Sequence, residues 1–489
     1  MYDVLICGLG PVGQLLALLL GDAGVNVLAV DKADEPYPLP RAAVVDDEVL
    51  RIFQSVGLDK PVLADAQVQL GASIVTADGR AVEVFRSQTG RLGHPPLVSI
   101  NQPAMERTLI AALSDRPTVE ARWGVTLEML DRRADRVDVQ LRASAGGHSE
   151  QACARWVIGC DGGGSPVRAR LGIPFDGKTA PQRWIVVDAL VDRPLRKVPH
   201  PHFVGSREVP TVTLPMSPGR HRWEWMLRPG EDAAPFLDPV VVRNRIEEWL
   251  DGESVDIERA IVYTFHTRMA ARWRRGRVLL AGDAAHVMPP FAGQGFSSGA
   301  RDAANLAWKL AAVLRGAPLS LLDTYEQERR PHVAAMQRTA KAMGGFVQAT
   351  SNGRIRARDR WLKTIDGTRL QRVLAENTKP LPTYGAGAFA TQPARLPFRR
   401  SVGSLFPQTD RLDDRLGSGW AGVTADVKAM AAMSAGGLVV AEPGPDGAWL
   451  EKQGASWAIL RPDRFVFAAG GDGLLAAINA YRRLSGEPT

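Results

Sequence analysis

The stretch of residues 277–299, RVLLAGDAAHVMPPFAGQGFSSG, combines the residue types that a binding site for a polar ligand needs. Asp283 follows a short apolar run that is typical of a strand buried on both faces, and a glycine-containing loop comes after two prolines. Ser297 and Ser298 are candidate N-caps of an amphipathic helix that runs to Gly316. Small residues admit a ligand to the backbone, helix N–H groups favour negative charge, and an Asp accepts sugar hydroxyls. Taken alone, the stretch also fits an ordinary strand–loop–helix connection.

A second stretch, at the start of the chain, has the spacing of a dinucleotide-binding turn. Residues 2–7 form a buried strand, a leucine-rich helix follows the turn, and residues 25–30 form a second strand that ends at Asp31. The glycines of the G-x-G-x-x-G turn are Gly8, Gly10 and Gly13. Such glycines permit the tight turn and the approach of a pyrophosphate, and the acid reaches the ribose hydroxyls. Because both strands and the acid are present, we predict that this βαβ unit binds a dinucleotide.

A third motif lies between these two and makes a family resemblance visible. A short apolar strand, residues 156–160, leads into residues 161–168, which read D-G-G-G-S-P-V-R. The glycine turn, this D-G-x-x-S-x-V-R stretch and the later G-D-A-A-H-x-x-P-P-x-x-G-Q-G occur in that order within residues 1–332. Together they resemble the FAD-dependent aromatic hydroxylases, which are single-component flavoprotein monooxygenases with the p-hydroxybenzoate hydroxylase fold.

Further stretches resemble the 3-(3-hydroxyphenyl)propionate hydroxylase type within that family. They are residues 46–48, 54–58, 177–181, 184–188, 301–310 and 322–330. The resemblance implies that NAD(P)H reduces FAD, that O2 forms a flavin C4a-hydroperoxide, and that its distal oxygen attacks an electron-rich phenol. We therefore expect a phenolic acid like 3-(3-hydroxyphenyl)propionate, or a related phenol, as the substrate.

The resemblance also implies which residues hold the FAD. An arginine at position 41 would bind the pyrophosphate or adenosine, for which a bidentate guanidinium is suited, and Gln102 would lie near the ribityl chain. The family usually has Asn where this chain has Ser297, so a side-chain contact with the flavin from this position is left open. The expected cofactor-binding residues are Gly8, Gly10, Pro11, Val12, Gly13, Asp31, Lys32, Arg41, Gln102, Val125, Asp161, Gly162, Asp283, Pro290, Gly293, Gln294, Gly295, Phe296 and Ser297.

Candidates for a direct part in catalysis are few. A general base must reach the substrate hydroxyl and have a pKa near the working pH. His266 follows a strand expected at residues 261–265, so a turn there could bring it toward the ring, although the pattern favours a surface or loop-bracing histidine. Pro290 is expected as a wall of the flavin site, and His286 as a brace within its loop. No group of residues predicts a metal site.

The order of motifs and the change to strand-like alternation after residue 180 predict the domain organisation. We expect an α/β, Rossmann-like FAD-binding domain from residues 1–180 and 270–345, with an inserted antiparallel-sheet substrate domain (α+β) at 181–269. Residues 346–400 should form a helical segment and connector, after a helix that Pro331 breaks. Residues 401–489 are expected to form a small, degenerate thioredoxin-like domain, redox-inert because it lacks a C-x-x-C motif. A homodimer is left open.

Composition excludes several other classes of protein. The net charge of +7 comes from scattered arginines without a basic run, which argues against nucleic acid as a partner. Three cysteines in apolar settings are too few for a disulfide framework, and we expect no signal peptide, because the first residues predict a strand. No apolar stretch is long enough to span a membrane. These features predict a cytoplasmic protein.

Two alternatives to the phenol hydroxylase remain at this stage. A tailoring or inactivating hydroxylase of polycyclic aromatic antibiotics would carry the same three motifs. A flavin-binding protein that sequesters an aromatic ligand without turnover is the alternative from another class. A halogenase is rejected, because the W-x-W of residues 223–225 continues as Met-Leu and strand alternation explains both tryptophans.

Overall fold

The computed structural model describes residues 1–87, 90–206, 208–250, 252–376, 382–391 and 401–486. The strands, numbered along the chain, are β1 (Tyr2–Cys7), β2 (Val27–Val30), β3 (Val44–Asp46), β4 (Ala66–Val68), β5 (Gly71–Val75), β6 (Ala81–Arg86), β7 (Leu97–Ile100), β8 (Val119–Arg122), β9 (Val125–Arg132), β10 (Val137–Ala143), β11 (Ser149–Gly159), β12 (Phe175–Val191), β13 (His202–Val204), β14 (Thr211–Pro215), β15 (Arg220–Met226), β16 (Val255–Ala270), β17 (Arg274–Arg275), β18 (Val278–Leu280), β19 (His286–Val287), β20 (Ala421–Thr424), β21 (Val439–Ala441), β22 (Trp457–Leu460) and β23 (Val466–Gly470).

The α-helices are numbered in the same way. They are α1 (Pro11–Asp22), α2 (Asp47–Ser55), α3 (Asp59–Ala64), α4 (Gln102–Ser114), α5 (Pro166–Arg170), α6 (Pro239–Leu250), α7 (Gln294–Leu314), α8 (Asp323–Val347), α9 (Asn352–Ile365), α10 (Arg369–Glu376), α11 (Asp413–Leu416), α12 (Val427–Ala435), α13 (Gly447–Lys452) and α14 (Leu474–Ser485).

The central sheet brings the three sequence motifs to one edge. Strands β18, β11, β1, β2 and β8 lie side by side and run parallel, with β17 antiparallel at one edge and the β9–β10 hairpin extending from β11. Cys7 pairs with both Val30 and Gly159, and Gly159 pairs with Leu280, so four strands end at the same level. Ligands of open α/β sheets bind at this carboxyl edge. The expected Rossmann-like arrangement of these strands is therefore present.

A second sheet, here called the roof, has the order β19-β16-β12-β15-β14-β13-β5-β6. Its two longest strands, β12 and β16, run antiparallel and continue from the central part of the molecule into the roof. Its outer face packs on α6, where Val242, Ile246 and Leu250 are buried against Ile185 and Val187 of β12. The remaining side chains of these strands point to the inner face, because successive residues of a strand alternate.

The C-terminal unit is built on the four-stranded sheet β21-β20-β22-β23. The pair β20–β21 is parallel, whereas β22 runs antiparallel to both β20 and β23. Its residues Trp420 and Phe467 belong to the same hydrophobic core as the central sheet, and the rings of Trp420 and Trp308 of α7 lie 5.5 Å apart. The C-terminal unit therefore shares a core with the helix that follows the glycine loop.

Helix α8 differs from the sequence-based expectation at Pro331. The helix is continuous from Asp323 to Val347, and Pro331 lies within it without a break. Pro331 is exposed. Water can therefore solvate the carbonyl that loses its donor, and the local cost of the proline is outweighed by the packing of the rest of the helix. Part of the expected connector, residues 377–381 and 392–400, lies outside the described residues. None of the described helices combines the length and the apolar character that crossing a bilayer requires.

Candidate functional site

The three glycines of the first turn are needed for different structural reasons. Gly8 adopts φ +106°, and a Cβ on it would lie 2.4 Å from the carbonyl oxygen of Cys160. A Cβ on Gly13 would lie 1.9 Å from the carbonyl oxygen of Gly8. Gly10, in contrast, would meet nothing within 4 Å. Gly8 and Gly13 are thus required by the packing of the turn, whereas Gly10 leaves open space in which a ligand can approach the backbone.

Pro11 and Val12 join this turn to the distant glycine-rich motif. Pro11 is the first residue of α1. A Cβ on Gly299 would lie 2.5 Å from a methyl carbon of Val12, and one on Gly282 would lie 3.2 Å from both methyl carbons. The small residues of the distant motif therefore allow α7 and the end of β18 to pack on the first turn of α1.

Asp31 lies at the end of β2 and holds the first turn in place. Its Oδ2 accepts a hydrogen bond of 2.7 Å from the backbone N–H of Leu9, and its Oδ1 accepts one of 2.9 Å from Ala33. Each oxygen retains lone-pair capacity for a ribose hydroxyl. Val125, the first residue of β9, donates its backbone N–H to the Asp31 carbonyl, and the Lys32 side chain is exposed.

Gln102 supports the loop that carries Arg41. Its Oε1 accepts hydrogen bonds from the backbone N–H groups of Arg41 (2.9 Å) and Ala42 (2.6 Å), and its Nε2 donates to Glu106. The exposed Arg41 guanidinium lies 4.3 Å from the Tyr37 ring centroid and has no carboxylate partner among the described residues. Its charge is therefore available for a phosphate.

Asp161 begins the middle motif and caps a short helix. Its Oδ2 accepts a hydrogen bond of 2.8 Å from the N–H of Val167, whereas its buried Oδ1 has no partner among the described residues. Burial raises the pKa of this carboxyl group. Arg168 donates to the carbonyl oxygens of Gly163 and Ala284, which joins the loop containing Gly162 to the G-D-A-A-H stretch.

Asp283 lies in a 3-10 turn, Gly282–Ala284, that follows β18. Its side chain is exposed, yet the surrounding protein desolvates the carboxyl group and raises its pKa. Behind it, His286 is buried, and its Nε2 lies 2.6 Å from Oδ2 of Asp302, which also accepts the N–H of Gly282. This arrangement suits a loop-bracing histidine and leaves the side chain of Asp283 exposed.

Helix α7 begins three residues before the expected Ser297. Gly293 is the N-cap in the left-handed conformation with φ +62°, and a Cβ on it would lie 2.4 Å from a methyl carbon of Val44. The N-cap prediction for Ser297 and Ser298 is therefore wrong, because both residues already lie inside the helix. Gln294, the first helical residue, donates to Asp46 and accepts from Arg301, so its amide is held by a buried ion cluster.

The residues at this edge fit a bound FAD in chemical terms. The buried Asp161 Oδ1, Ser297 Oγ and Ser298 Oγ have no hydrogen-bond partner among the described residues. A Cβ on Gly295 or Gly162 would meet nothing within 4 Å, so both backbones are accessible. Phe296 is half-buried and lies 6.4 Å from the Phe53 ring. Buried polar groups without partners are rare in native proteins, and a polar ligand at this edge would satisfy them.

The inner face of the roof meets this edge through aromatic side chains. The Trp184 ring lies 5.9 Å from that of Phe265 and 5.4 Å from that of Phe291, and Phe265 and Phe291 lie 5.5 Å apart. Phe291 belongs to a 3-10 turn, Pro290–Ala292, in the loop before α7, whereas the other two rings belong to the roof. The side chains of Trp184, Phe265 and Phe291, here called the aromatic wall, are 0%, 4% and 6% exposed, so they form a packed apolar contact between the roof and this loop.

Two buried arginines fix the roof to the loop that contains Arg41. Asp188 of β12 forms ion pairs with Arg222 of β15 and Arg259 of β16. Both guanidinium groups also donate to the carbonyl oxygen of Pro40, at 2.8 Å and 2.6 Å. We call this group of three side chains the arginine clamp; it holds the roof over the carboxyl edge of the central sheet.

Tyr263 and Glu224 are two polar residues of the inner face that do not belong to the arginine clamp. Tyr263 is 42% exposed, and burial together with the charge of Asp283 raises its pKa. Glu224 is 8% exposed, and burial raises the pKa of its carboxyl group. Its nearest charged neighbour is Arg222, whose NH1 lies 3.8 Å from Oε1 of Glu224.

His266 does not occupy the position that the sequence suggested. Strand β16 continues to Ala270, because Thr179 of β12 pairs with His266 and Met269 pairs with His286 of β19. The expected end of the strand at Phe265 is therefore wrong, and no turn brings His266 inward. Its exposed side chain makes a hydrogen bond of 3.0 Å between Nδ1 and Thr179 Oγ1, on the face opposite Phe265. Pro290 is exposed at the start of its 3-10 turn, in the loop below the roof.

Sequence reasoning missed Glu224, Trp184 and the arginine clamp. The alternation of residues 220–226, R-H-R-W-E-W-M, contains the signal that could have found part of them, since Arg222, Glu224 and Met226 must share one face. Trp223 and Trp225 lie on the outer face with α6, as strand alternation requires. Asp188 and Arg259 could not be assigned, because their contact depends on strand register.

Comparison with known proteins extends the likeness over the whole chain. A model of the FAD binding domain family matches residues 1–340. The 3-(3-hydroxy-phenyl)propionate/3-hydroxycinnamic acid hydroxylase of Escherichia coli O8 (strain IAI1) is 35% identical over 510 residues, which cover 95% of this chain and 91% of that protein. The flavin-dependent monooxygenase PieE, solved with FAD and substrate, covers 100% of the chain with a TM-score of 0.81 at 23% identity; the alignment spans 99% of PieE. The anhydrotetracycline hydroxylase OxyS from Streptomyces rimosus matches over 100% of both chains, with a TM-score of 0.75 at 26% identity.

Proposed function

The chain belongs to the FAD-dependent aromatic hydroxylases, and from this premise we propose that it hydroxylates a small phenol such as a 3-(3-hydroxyphenyl)propionate-like phenolic acid. The observation that carries the choice of substrate is the Tyr263 ring, which is 42% exposed on the inner face of the roof and lies 5.8 Å from the ring of Phe265 in the aromatic wall. A single aromatic ring is flat and apolar enough to lie against this exposed ring. The name of the relative from Escherichia coli supports the same class of substrate.

FAD, with NAD(P)H and O2 as co-substrates, supplies the reduction and oxygen activation that aromatic hydroxylation needs. Gly10, Asp31 and Arg41 would hold its adenosine and pyrophosphate, since they offer open backbone, acceptor oxygens and an unpaired cation. Asp161 and Asp283 would accept hydrogen bonds from the ribityl hydroxyls. The loop from Pro290 to Ser297 would surround the ring system.

The roof would perform the other task of the protein, which is to exclude water and orient the substrate. Its outer face is covered by α6, and the arginine clamp fixes it to the carbonyl of Pro40. A ring placed against Tyr263 would be shielded from bulk water on the roof side. Shielding of this kind protects reactive intermediates from side reactions.

The domain organisation is part of the proposal. Residues 1–180 and 270–345 would form the FAD-binding domain and residues 181–269 the inserted substrate domain, with the roof as its centre. Residues 401–489 would form a thioredoxin-like domain, which is supported by the parallel pair β20–β21, the two antiparallel strands and the final helix α14. The only cysteines of the sequence are Cys7, Cys153 and Cys160, so this domain would be redox-inert and structural or dimer-forming.

A tailoring hydroxylase of a polycyclic aromatic compound is the second candidate. The observation that favours it is the match to OxyS, whose name gives anhydrotetracycline as its substrate and which aligns over the entire chain. A polycyclic substrate needs a wider cleft than a single ring. The two candidates therefore differ in the ligand whose binding should change the flavin spectrum: a single-ring phenol for the first and a polycyclic compound for the second.

Steady-state assays of the purified, FAD-loaded protein test the proposal. NADH or NADPH oxidation and O2 uptake are measured with 3-(3-hydroxyphenyl)propionate, simple phenols and anhydrotetracycline, and products are identified by mass. A hydroxylated single-ring product with stimulated NAD(P)H oxidation is expected. Turnover of the polycyclic compound alone would select the second candidate, and stimulation without any hydroxylated product would contradict both.

A further inference from the structure

Glu224 is a buried acid whose position the family assignment does not explain. It lies in the middle of the inner face of the roof, between Val186 of β12 and Val212 of β14 in the strand register. On its own strand it stands between Arg222 and Met226, which point to the same side. Val212 and Met226 belong to the same apolar cluster as the aromatic wall. The carboxylate therefore lies between the arginine clamp and this apolar cluster, on the inner face of the roof.

The neighbouring arginine does not satisfy this carboxylate. Arg222 donates from Nε and NH2 to Asp188, from NH2 to Pro40 and from NH1 to the Arg41 carbonyl. The distance from its NH1 to Glu224 Oε1 is 3.8 Å, which is too long for a hydrogen bond. Neither oxygen of Glu224 accepts a hydrogen bond from any residue that the structure describes. The carboxylate keeps a small contact with solvent, so it can accept a hydrogen bond from a donor that a ligand brings.

The cations of this face are unsuited to an anionic group of a ligand. Arg222 and Arg259 are both paired with Asp188 and both donate to the Pro40 carbonyl. A substrate carboxylate at this place would meet Glu224 without a free cation from either arginine. A ligand hydroxyl, in contrast, can donate a hydrogen bond to Glu224 and needs no cation.

We infer that Glu224 binds the substrate by accepting a hydrogen bond from its phenolic hydroxyl, and that the protein thereby selects ligands with a neutral donor at the roof. The inference rests on the proposed function, because it assigns an orientation to the same aromatic substrate. Any carboxylate tail of the substrate would have to lie away from the inner face of the roof. The selectivity for a ligand with a hydroxyl donor follows from the free-energy cost of leaving the Glu224 carboxylate unpaired beneath a ligand without one. This cost is larger than the net gain from one hydrogen bond that is exposed to solvent.

The test compares a phenol with its methyl ether on the FAD-loaded protein. Dissociation constants of 3-(3-hydroxyphenyl)propionate and 3-(3-methoxyphenyl)propionate are measured from the change in flavin absorbance. The wild type is expected to prefer the hydroxyl by about ten- to a hundredfold, because a charge-assisted hydrogen bond is lost in the ether. In Glu224→Met the preference should fall below about threefold, and Glu224→Gln, which keeps a neutral acceptor, should lie between the two.

Glu258→Gln is the matched control, since it removes the same charge from the partly exposed Arg220–Glu258 pair of the roof. FAD content and melting temperature are recorded for each variant, and Glu224→Gln preserves shape if the Met variant folds poorly. The inference would be overturned if both Glu224 variants kept the wild-type ratio of the two dissociation constants, or if they lost affinity for both ligands equally. In either case, turnover of a phenol by the wild type would leave the proposed function intact. If the wild type hydroxylates no phenol at all, the proposed function fails first and the inference with it.

Discussion

The side chain of Asp283 is exposed at the carboxyl edge of the central sheet, yet the protein around it desolvates its carboxylate. Its position was predictable, because a short apolar strand followed by Gly-Asp places an acid at the carboxyl edge of a parallel sheet. The same reasoning located Asp31 and Asp161. What the sequence could not supply was the second role of these acids, since Asp31 and Asp161 also accept backbone N–H groups of neighbouring turns.

Asp283→Ala should weaken the retention of FAD by about ten- to a hundredfold, because ribityl hydroxyls would lose a desolvated acceptor. The measurement is the dissociation constant of FAD for the apoprotein, obtained from the quenching of flavin fluorescence. Asp135→Ala, at an exposed acid whose ion pair with Arg136 is 3.8 Å long, is the control and should bind FAD normally. Equal affinity in the two variants would show that Asp283 does not contact the cofactor.

His266 and Ser297 show where inference from single residues ends. His266 was considered because an alternating pattern stops after Phe265, yet pairing with β12 and β19 extends the strand to Ala270. Ser297 has the residue type of an N-cap, yet the left-handed conformation of Gly293 starts the helix earlier. In both cases the end of an element is fixed by contacts with distant chain segments, which local residue preference does not contain.

At the scale of the elements, the arginine clamp determines how the roof sits over the cofactor edge. It joins β12, β15 and β16 to the loop after β2, and all three of its side chains are less than 10% exposed. The existence and alternation of strands in residues 184–190, 211–214 and 222–227 were predictable from apolar and β-branched residues at every second position. Their neighbours were not, because β5 and β6 join the roof from a part of the chain before residue 90.

Asp188→Asn should lower the free energy of unfolding by about 3–5 kcal/mol, because two buried guanidinium groups would lose their shared carboxylate. Urea unfolding followed by tryptophan fluorescence measures the change. Glu258→Gln, in the partly exposed pair with Arg220, should cost less than about 1 kcal/mol. A loss in Asp188→Asn as small as in this control would mean that the clamp is not a stabilising contact between roof and loop.

At the scale of the whole molecule, a second buried ion network joins the C-terminal unit to the rest. Arg461 donates to both oxygens of Glu328 of α8, at 2.9 Å and 2.8 Å, and Lys309 of α7 lies 2.9 Å from the same carboxylate. All three side chains are fully buried. The sequence indicated a small α/β unit after residue 400 but gave no sign of this contact, since the three residues are separated by up to 152 positions (461 − 309).

Arg461→Met should destabilise the protein by about 3–5 kcal/mol and make it more sensitive to acid. Burial favours the neutral acid, but Arg461 and Lys309 outweigh it and lower the pKa of Glu328 to about 2. The depressed pKa contributes stability above the ordinary pKa of about 4.3, and this contribution is lost as the pH falls toward 2. Without Arg461 the pKa rises, so the loss should begin at higher pH. Urea midpoints from pH 7 to pH 3 measure this.

The control for the acid experiment is Arg415→Met, at an exposed arginine 3.4 Å from Asp410. This variant should follow the wild type at each pH, because solvent already screens its pair. If Arg461→Met kept the wild-type pH dependence, Glu328 would have another dominant partner, and the network would not account for its low pKa.

The network of Lys309, Glu328 and Arg461 also bears on how genes of this architecture can be shortened or recombined. A cut before residue 401 would leave Lys309 and Glu328 without Arg461 and would uncover the Trp308 ring that faces Trp420. The gene segment that encodes the residues after position 400 therefore cannot be exchanged freely for one from another gene. Exchange with a segment from another gene would succeed only if the incoming piece brings a guanidinium and an aromatic ring to the same places, or if positions 308, 309 and 328 change first.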